Sequence, residues 1–236
     1  MRHHLNNAVK LLLLACVALF ALPTPVRAEF ALSNMILDFP AKGPRQQDVQ
    51  VISKDEETQY LQMSISEIEN PGTPQEQRIP VTTPENAGII VSPMMMVLPA
   101  GVTKTLRFIL MNEASDKEKI YRVSVKPVVN GVEPPKDKQI GVKILVGYEV
   151  LVLVRPLNAK ADIVGHRNGS QLTLTNHGNT NVIFQSGKQC QASGDCKEVK
   201  VRRIYPTGSQ VVDLPFADQP VTLQVFDGVT PQKLTF

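Results

Sequence analysis

An all-β architecture of two β-sandwiches in series is what this 236-residue sequence predicts. Three observations predict it. Short stretches with apolar residues at alternate positions recur along the chain, separated by Gly- and Pro-bearing turns every ~8–12 residues. Beyond Ala28 no segment sustains a helical period for longer than a turn. The alternation stops at Arg155-Pro156 and restarts on a smaller scale, which divides residues 29–154 from residues 155–236.

The chain opens with Arg2 and Lys10, an apolar block from Leu11 to Leu22, and small residues at Val26 and Ala28. That order reads as a secretory signal over residues 1–28, with a mature start at Glu29. The block is too short to anchor the chain in a membrane. Losing Arg2, Lys10 and Arg27 takes the basic residues from 25 to 22, against 22 acids. The mature chain is then formally neutral, which argues against nucleic acid or an anionic membrane surface as partner.

Cys16 leaves with the signal. Cys190 and Cys196 then read as a local disulfide of an exported protein. A metal site would need further ligands, and His166 and His177 lack a matching spacing and read as turn residues. No cofactor is implied.

Phe30–Phe39 reads as a first strand, ended by Pro40. Asp48–Ser53 and Gln59–Ile68 follow across the solvated Lys54–Glu57 turn, and Pro71–Pro84 reads as loop. Ile89–Leu98 is a strand broken at Pro93. Its methionines Met94, Met95 and Met96 read as core filling rather than as an adaptable binding surface or a soft-metal site. Thr103–Met111 and Ile120–Val129 complete the run. Past Pro156, Ser170–Asn176, Asn181–Phe184, Val199–Tyr205, Val221–Phe226 and Gln232–Phe236 read as strands, with Asn168-Gly169-Ser170 a plain turn rather than a glycosylation site.

The stretch Gln139–Pro156 organises the rest. Every even position from Ile140 to Val154 is apolar, the period of a strand, while odd positions Lys143 and Glu149 are charged. From Val150 the odd positions turn apolar too, so the second half is expected to be covered on both faces and the first half on one. Sixteen extended residues would reach roughly 50 Å, well past an ordinary strand. If the first half is an edge, its branched aliphatics and unpaired backbone invite another chain.

Signatures of chemistry are sparse. The sequence past Ala28 contains no Gly-x-Ser-x-Gly, His-Glu-x-x-His, phosphate loop or dinucleotide fingerprint. Carboxylate pairs such as Glu67 and Glu69 read as strand-face residues. An enzyme is not indicated.

Several phrases, in order, resemble periplasmic chaperones of the chaperone–usher pilus pathway. They are Ile89–Pro93 through Val97–Gly101, Lys104–Arg107, Lys119–Val123, the long strand ending Arg155-Pro156, Leu172–Asn179 and Tyr205–Ser209. Tyr121-Arg122-Val123 and the cysteine pair are most similar to the alternate subclass serving colonisation-factor-type fimbriae. The resemblance covers residues 29–236. It implies two immunoglobulin-like domains, a periplasmic location, and fimbrial subunits and an outer-membrane usher as partners. The last strand of the first domain would lend residues to a subunit lacking a strand, a mode of strand addition. The expected donated row is Ile140, Val142, Ile144 and Val146, with a bulge at Gly147 able to change the presented face. The same row could support self-association.

The sequence departs from better-known members, which hold the subunit's terminal carboxylate with an Arg on the first strand and a Lys on the long strand. Ser33–Ile36 and Leu151 stand there instead. Lys143 and Arg122 are the replacement candidates on charge grounds. Two other classes remain in view. A pilus subunit would carry a donor extension at its mature start, whereas Glu29 runs almost directly into a strand. A carbohydrate-binding module would show aromatic platforms, against no Trp and 5% aromatic residues here.

Overall fold

The computed structural model describes residues 29–83, 88–113, 115–128 and 144–236. The signal read at residues 1–28, and Ile140, Val142 and Lys143, lie outside them. In chain order the strands are β1 Phe30–Leu32, β2 Ile36–Phe39, β3 Gln46–Ser53, β4 Gln59–Glu69, β5 Gln77–Pro80, β6 Ile89–Ser92, β7 Met95–Leu98, β8 Thr103–Leu110, β9 Lys119–Pro127 and β10 Tyr148–Val154. There follow β11 Ile163–Asn168, β12 Gln171–Asn176, β13 Ile183–Cys190, β14 Cys196–Glu198, β15 Ser209–Asp213, β16 Val221–Phe226 and β17 Pro231–Thr235.

Two sheets form the first sandwich, β1-β3-β8-β6 against β2-β10-β9-β4-β5 with β7 also on β4. Alternate residues of both meet in one core, where Phe30, Phe39, Val49, Leu106, Phe108, Val123 and Val152 are wholly buried. The second pairs β11-β12-β15 with β14-β13-β16-β17 around Leu172, Leu174, Val182, Leu223 and Val225. Cys190 and Cys196 form a disulfide between the facing ends of β13 and β14.

The chain departs from the sequence-based expectations at definite places. Phe30–Phe39 is two strands, because Ser33 breaks the run: its amide donates to the Gln50 carbonyl at 2.9 Å and its Oγ accepts from the Gln50 amide at 3.0 Å. β1 pairs antiparallel with β3, whereas β2 crosses to the other sheet and runs parallel to β10. Strand β5 lies inside the expected Pro71–Pro84 loop. All four of its residues are exposed, so it carries no apolar alternation to read.

β11 was hidden by its inward positions. Gly165 leaves room for the Phe236 ring, which a Cβ there would meet at 2.2 Å, and Arg167 donates to the carbonyls of Phe216 and Gln219 at 2.9 and 2.7 Å. His166 therefore sits on a strand, not a turn. Val199–Tyr205 forms only a bridge between Val182 and Ile204, and Ser209–Asp213 is the strand instead. Of Met94, Met95 and Met96 only Met96 enters the core, and Met95 is 72% exposed.

Candidate functional site

Strand β10 meets different neighbours along its two flanks. Its whole length, Tyr148 to Val154, pairs antiparallel with β9 from Val125 to Lys119. On the other flank β2 pairs only with Leu151–Val154, and the first contact is the Leu151 amide donating to the Met35 carbonyl at 2.8 Å. Among the described residues, no strand lies on that flank of Tyr148–Val150. Ahead of it, Ile144–Gly147 has no strand partner among the described residues, and Ile144 is 70% exposed with Leu145 and Val146 more than a third exposed. Branched aliphatics beside unpaired backbone groups make this an edge open to another strand.

The faces of β10 differ as well. Val150 and Val152 point into the core, and Tyr148 closes its end, with its ring edge-on to Phe30 at 5.0 Å and its hydroxyl donating to the Phe30 carbonyl at 3.0 Å. On the outer face, Leu151 and Leu153 join Ile68 and Ile120 in a buried cluster beneath Tyr205 of the second sandwich. Of the expected long strand only Tyr148–Val154 is strand and Ile144–Gly147 is exposed without being one, while the second sandwich covers the outer face from Leu151.

Arg155, at the end of β10, is only 2% exposed and fixes that contact. Its guanidinium donates to Asp38 through Nε at 2.8 Å and Nη2 at 2.6 Å. Nη1 donates to Thr180 Oγ1 at 2.7 Å and to the Asp227 carbonyl at 2.5 Å. Glu118, whose side chain is fully buried, lies 3.7 Å from Nη1 and accepts from the Asn181 amide and from Thr180 Oγ1. Arg203 donates to Asn181, and its burial draws its pKa below the ordinary arginine value. The network spans both sandwiches, so it holds them in a fixed relation. None of Asp38, Glu118, Thr180 or Asn181 carries a sequence signal for this role, since each is unremarkable locally.

The outer face of the first sandwich carries a second charged group. Arg122 on β9 stands opposite Leu151, diagonal to Glu149 and on the same strand as Ser124. Leu151 fills the position where a Lys is absent and is buried; Ile36, across the flank, is exposed. Arg78, from the edge strand β5, extends over β4 and β9 to pair with Glu149 through both guanidinium Nη atoms. The Arg78 partnership was missed because β5 read as loop. A cleft of about 600 Å3 at the junction is lined by Ile68, Glu118, Lys160 and His177, and includes no residue of β10. Among the described residues no group of three or more His, Cys, Asp or Glu converges, and no helix is long and apolar enough to cross a membrane.

Known proteins resemble this chain in sequence and fold. Residues 30–160, more than half of the chain, match the model of the pili and flagellar-assembly chaperone family, PapD N-terminal domain. The chain is 27% identical over 204 residues to an Escherichia coli protein named as a CS1 fimbrial subunit, covering 82% of this chain and 84% of that one. It is also 27% identical to a second Escherichia coli protein, named as a CFA/I fimbrial subunit, covering 81% and 85%. The crystal structure of the class 5 fimbriae chaperone CfaA superposes with a TM-score of 0.65 at 24% identity, covering 88% of this chain and 97% of that one. A chaperone–tip adhesin complex of CFA/I fimbriae gives a TM-score of 0.64 at 25% identity, covering 89% and 98%. The two relatives are named for fimbrial subunits, whereas the family model describes a chaperone; the family model decides, because it matches the sandwich that carries the open strand.

Proposed function

Since the chain belongs to the pili and flagellar-assembly chaperone family, we propose that it binds fimbrial subunits that lack a strand, completes their fold by strand addition, and delivers them to an outer-membrane usher. One observation carries this reading: the flank of β10 that β2 leaves unpaired, continued by the exposed Ile144–Val146. A guest strand laid there would satisfy the backbone groups and bury the aliphatics.

Ile144 and Val146, with Ile140 and Val142 ahead of them, form the donated row. Arg122 anchors the guest's terminal carboxylate, with Lys143 the second candidate. What supports Arg122 is its place on the outer face beside Leu151, with no acidic group within 4.0 Å among the described residues. The chaperone works in the periplasm, reached through the signal at residues 1–28, and uses domains of residues 29–154 and 155–236. It catalyses no reaction. In the absence of a guest, two copies can cover each other's row.

Co-expression with candidate fimbrial subunits tests the reading. The expected result is a soluble one-to-one complex from the periplasm, with the subunit lost when the chaperone is omitted. Equal subunit recovery with and without it would overturn the proposal.

A further inference from the structure

Resting on the reading of Arg122 as anchor, we propose that Glu149 is an internal stand-in for the guest's terminal carboxylate, held by Arg78 beside Arg122 until the guest displaces it. The geometry of the outer face leads there. Glu149 is the first outward residue of β10, directly opposite Ser124, with Arg122 as its diagonal neighbour on the same face. Arg78 reaches it across two intervening strands because the floor is made of small side chains, Ser64, Ser66 and Ser124. Its Nη2 donates to Oε2 at 3.3 Å, its Nη1 to Oε1 at a shorter distance, and Ser124 Oγ donates to Oε1 at 3.4 Å.

Two arginines thus flank one carboxylate, and the charge of Glu76 also acts on Arg78. Glu67 pairs with Lys119 at 3.1 Å, and Glu76 accepts from the Gly72 amide at 2.8 Å. Among the described residues Arg122 forms no ion pair within 4.0 Å, so it is the cation left for an arriving anion. The side chains of Arg78 and Glu149 are 51% and 32% exposed, so their pair is solvent-screened and exchangeable, unlike that of the buried Arg155.

The flank of β10 explains why a chain terminus arrives here. β2 takes that flank from Leu151 onward, so a guest strand filling it must end at that point, beside Glu149. Two guanidinium groups select a carboxyl end over an amino end. Glu149 keeps the arginines ordered and partly neutralised in the empty protein, at the cost of competing with the guest.

The test uses the full chaperone and a synthetic peptide copying the last strand of the subunit recovered in the one-to-one complex, made with a free or an amidated C-terminus. Glu149→Gln is expected to tighten the free-acid peptide by up to about fivefold, the scale of an exposed ion pair, and to leave the amide peptide unchanged. Arg78→Gln, which frees Glu149 to pair with Arg122, is expected to weaken the free-acid peptide alone. If Glu149→Gln leaves acid binding unchanged or weakens both peptides alike while Arg122→Gln still weakens the acid form, the stand-in role is wrong and the anchor stands. If wild type does not distinguish acid from amide, the anchor reading falls and this inference with it. Failure of both peptides to bind wild type removes the strand-addition reading itself.

Discussion

Gly228 lies against the guanidinium of Arg155 so closely that a Cβ built on it would stand 2.1 Å from the Arg155 Cζ, and its φ of +91° already belongs to glycine. The backbone carbonyl next to it, that of Asp227, is one of the acceptors of Arg155. Gly228→Ala must therefore displace the side chain that joins the sandwiches. We expect a loss of about 3–5 kcal/mol, the scale of breaking a buried ion pair, read as a lower urea midpoint.

Arg155→Ala strips the same network from the other side and strands the buried Glu118 carboxylate without its cation. A loss of about 3–5 kcal/mol is expected here too. Combining it with Gly228→Ala should add only the strain of alanine at that φ, because both substitutions otherwise remove one interaction. Additive losses in the double variant would show that they act independently.

Ile144→Asp places a charge in the proposed donated row without touching either core. Losing one aliphatic contact of ~1.5–3 kcal/mol weakens guest binding by about 10- to 150-fold, more once the carboxylate must be desolvated. Thermal unfolding of the free protein should stay at the wild-type temperature. Unchanged recovery of the guest from the periplasm would exclude Ile144 from the contact.

The Glu149 carboxyl is held below its ordinary value near 4.5, first by the hydrogen bond from Arg78 and also by the fields of Arg78 and Arg122. A depressed carboxyl stabilises the fold above the ordinary value and loses that contribution as pH falls through the lowered one. The pair is partly exposed, so the effect stays under about 1 kcal/mol. A carboxyl-detected NMR titration should raise Glu149 in Arg78→Gln while Arg122 still holds it below its ordinary value.

Reducing the Cys190–Cys196 disulfide opens a loop of sequence separation 6 in the second sandwich. Loop-closure entropy for so short a loop is about 2 kcal/mol. Urea unfolding with and without reductant measures it, and the first sandwich, which contains neither cysteine, should keep its guest edge.

Much of this was legible because alternation reports burial directly. The apolar odd positions Leu151 and Leu153 announced a second covered face, and Glu149 announced that the cover ends before it. What stayed illegible was whatever alternation does not record. β5 is exposed throughout, and β11 turns a glycine and an arginine inward. Ser33 turns a single apolar run into two strands of different sheets. The partners of Arg155 are scattered from Asp38 to Asp227, and only the fold brings them together. Ile140, Val142 and Lys143 rest on the strand period alone.

On the proposed reading of the β10 flank, the crossover of the first strand at Ser33–Met35 has a consequence for which guests are admitted. Wherever that segment leaves one sheet for the other, it decides how many rungs of β10 the protein claims for itself. It therefore works as a ruler. Sliding it by two residues would lengthen or shorten the berth for the incoming strand while keeping the same side chains facing inward. Variants at Ser33 and Asn34 thus offer a way to retune which segment of a guest is seated without redesigning the residues that grip it.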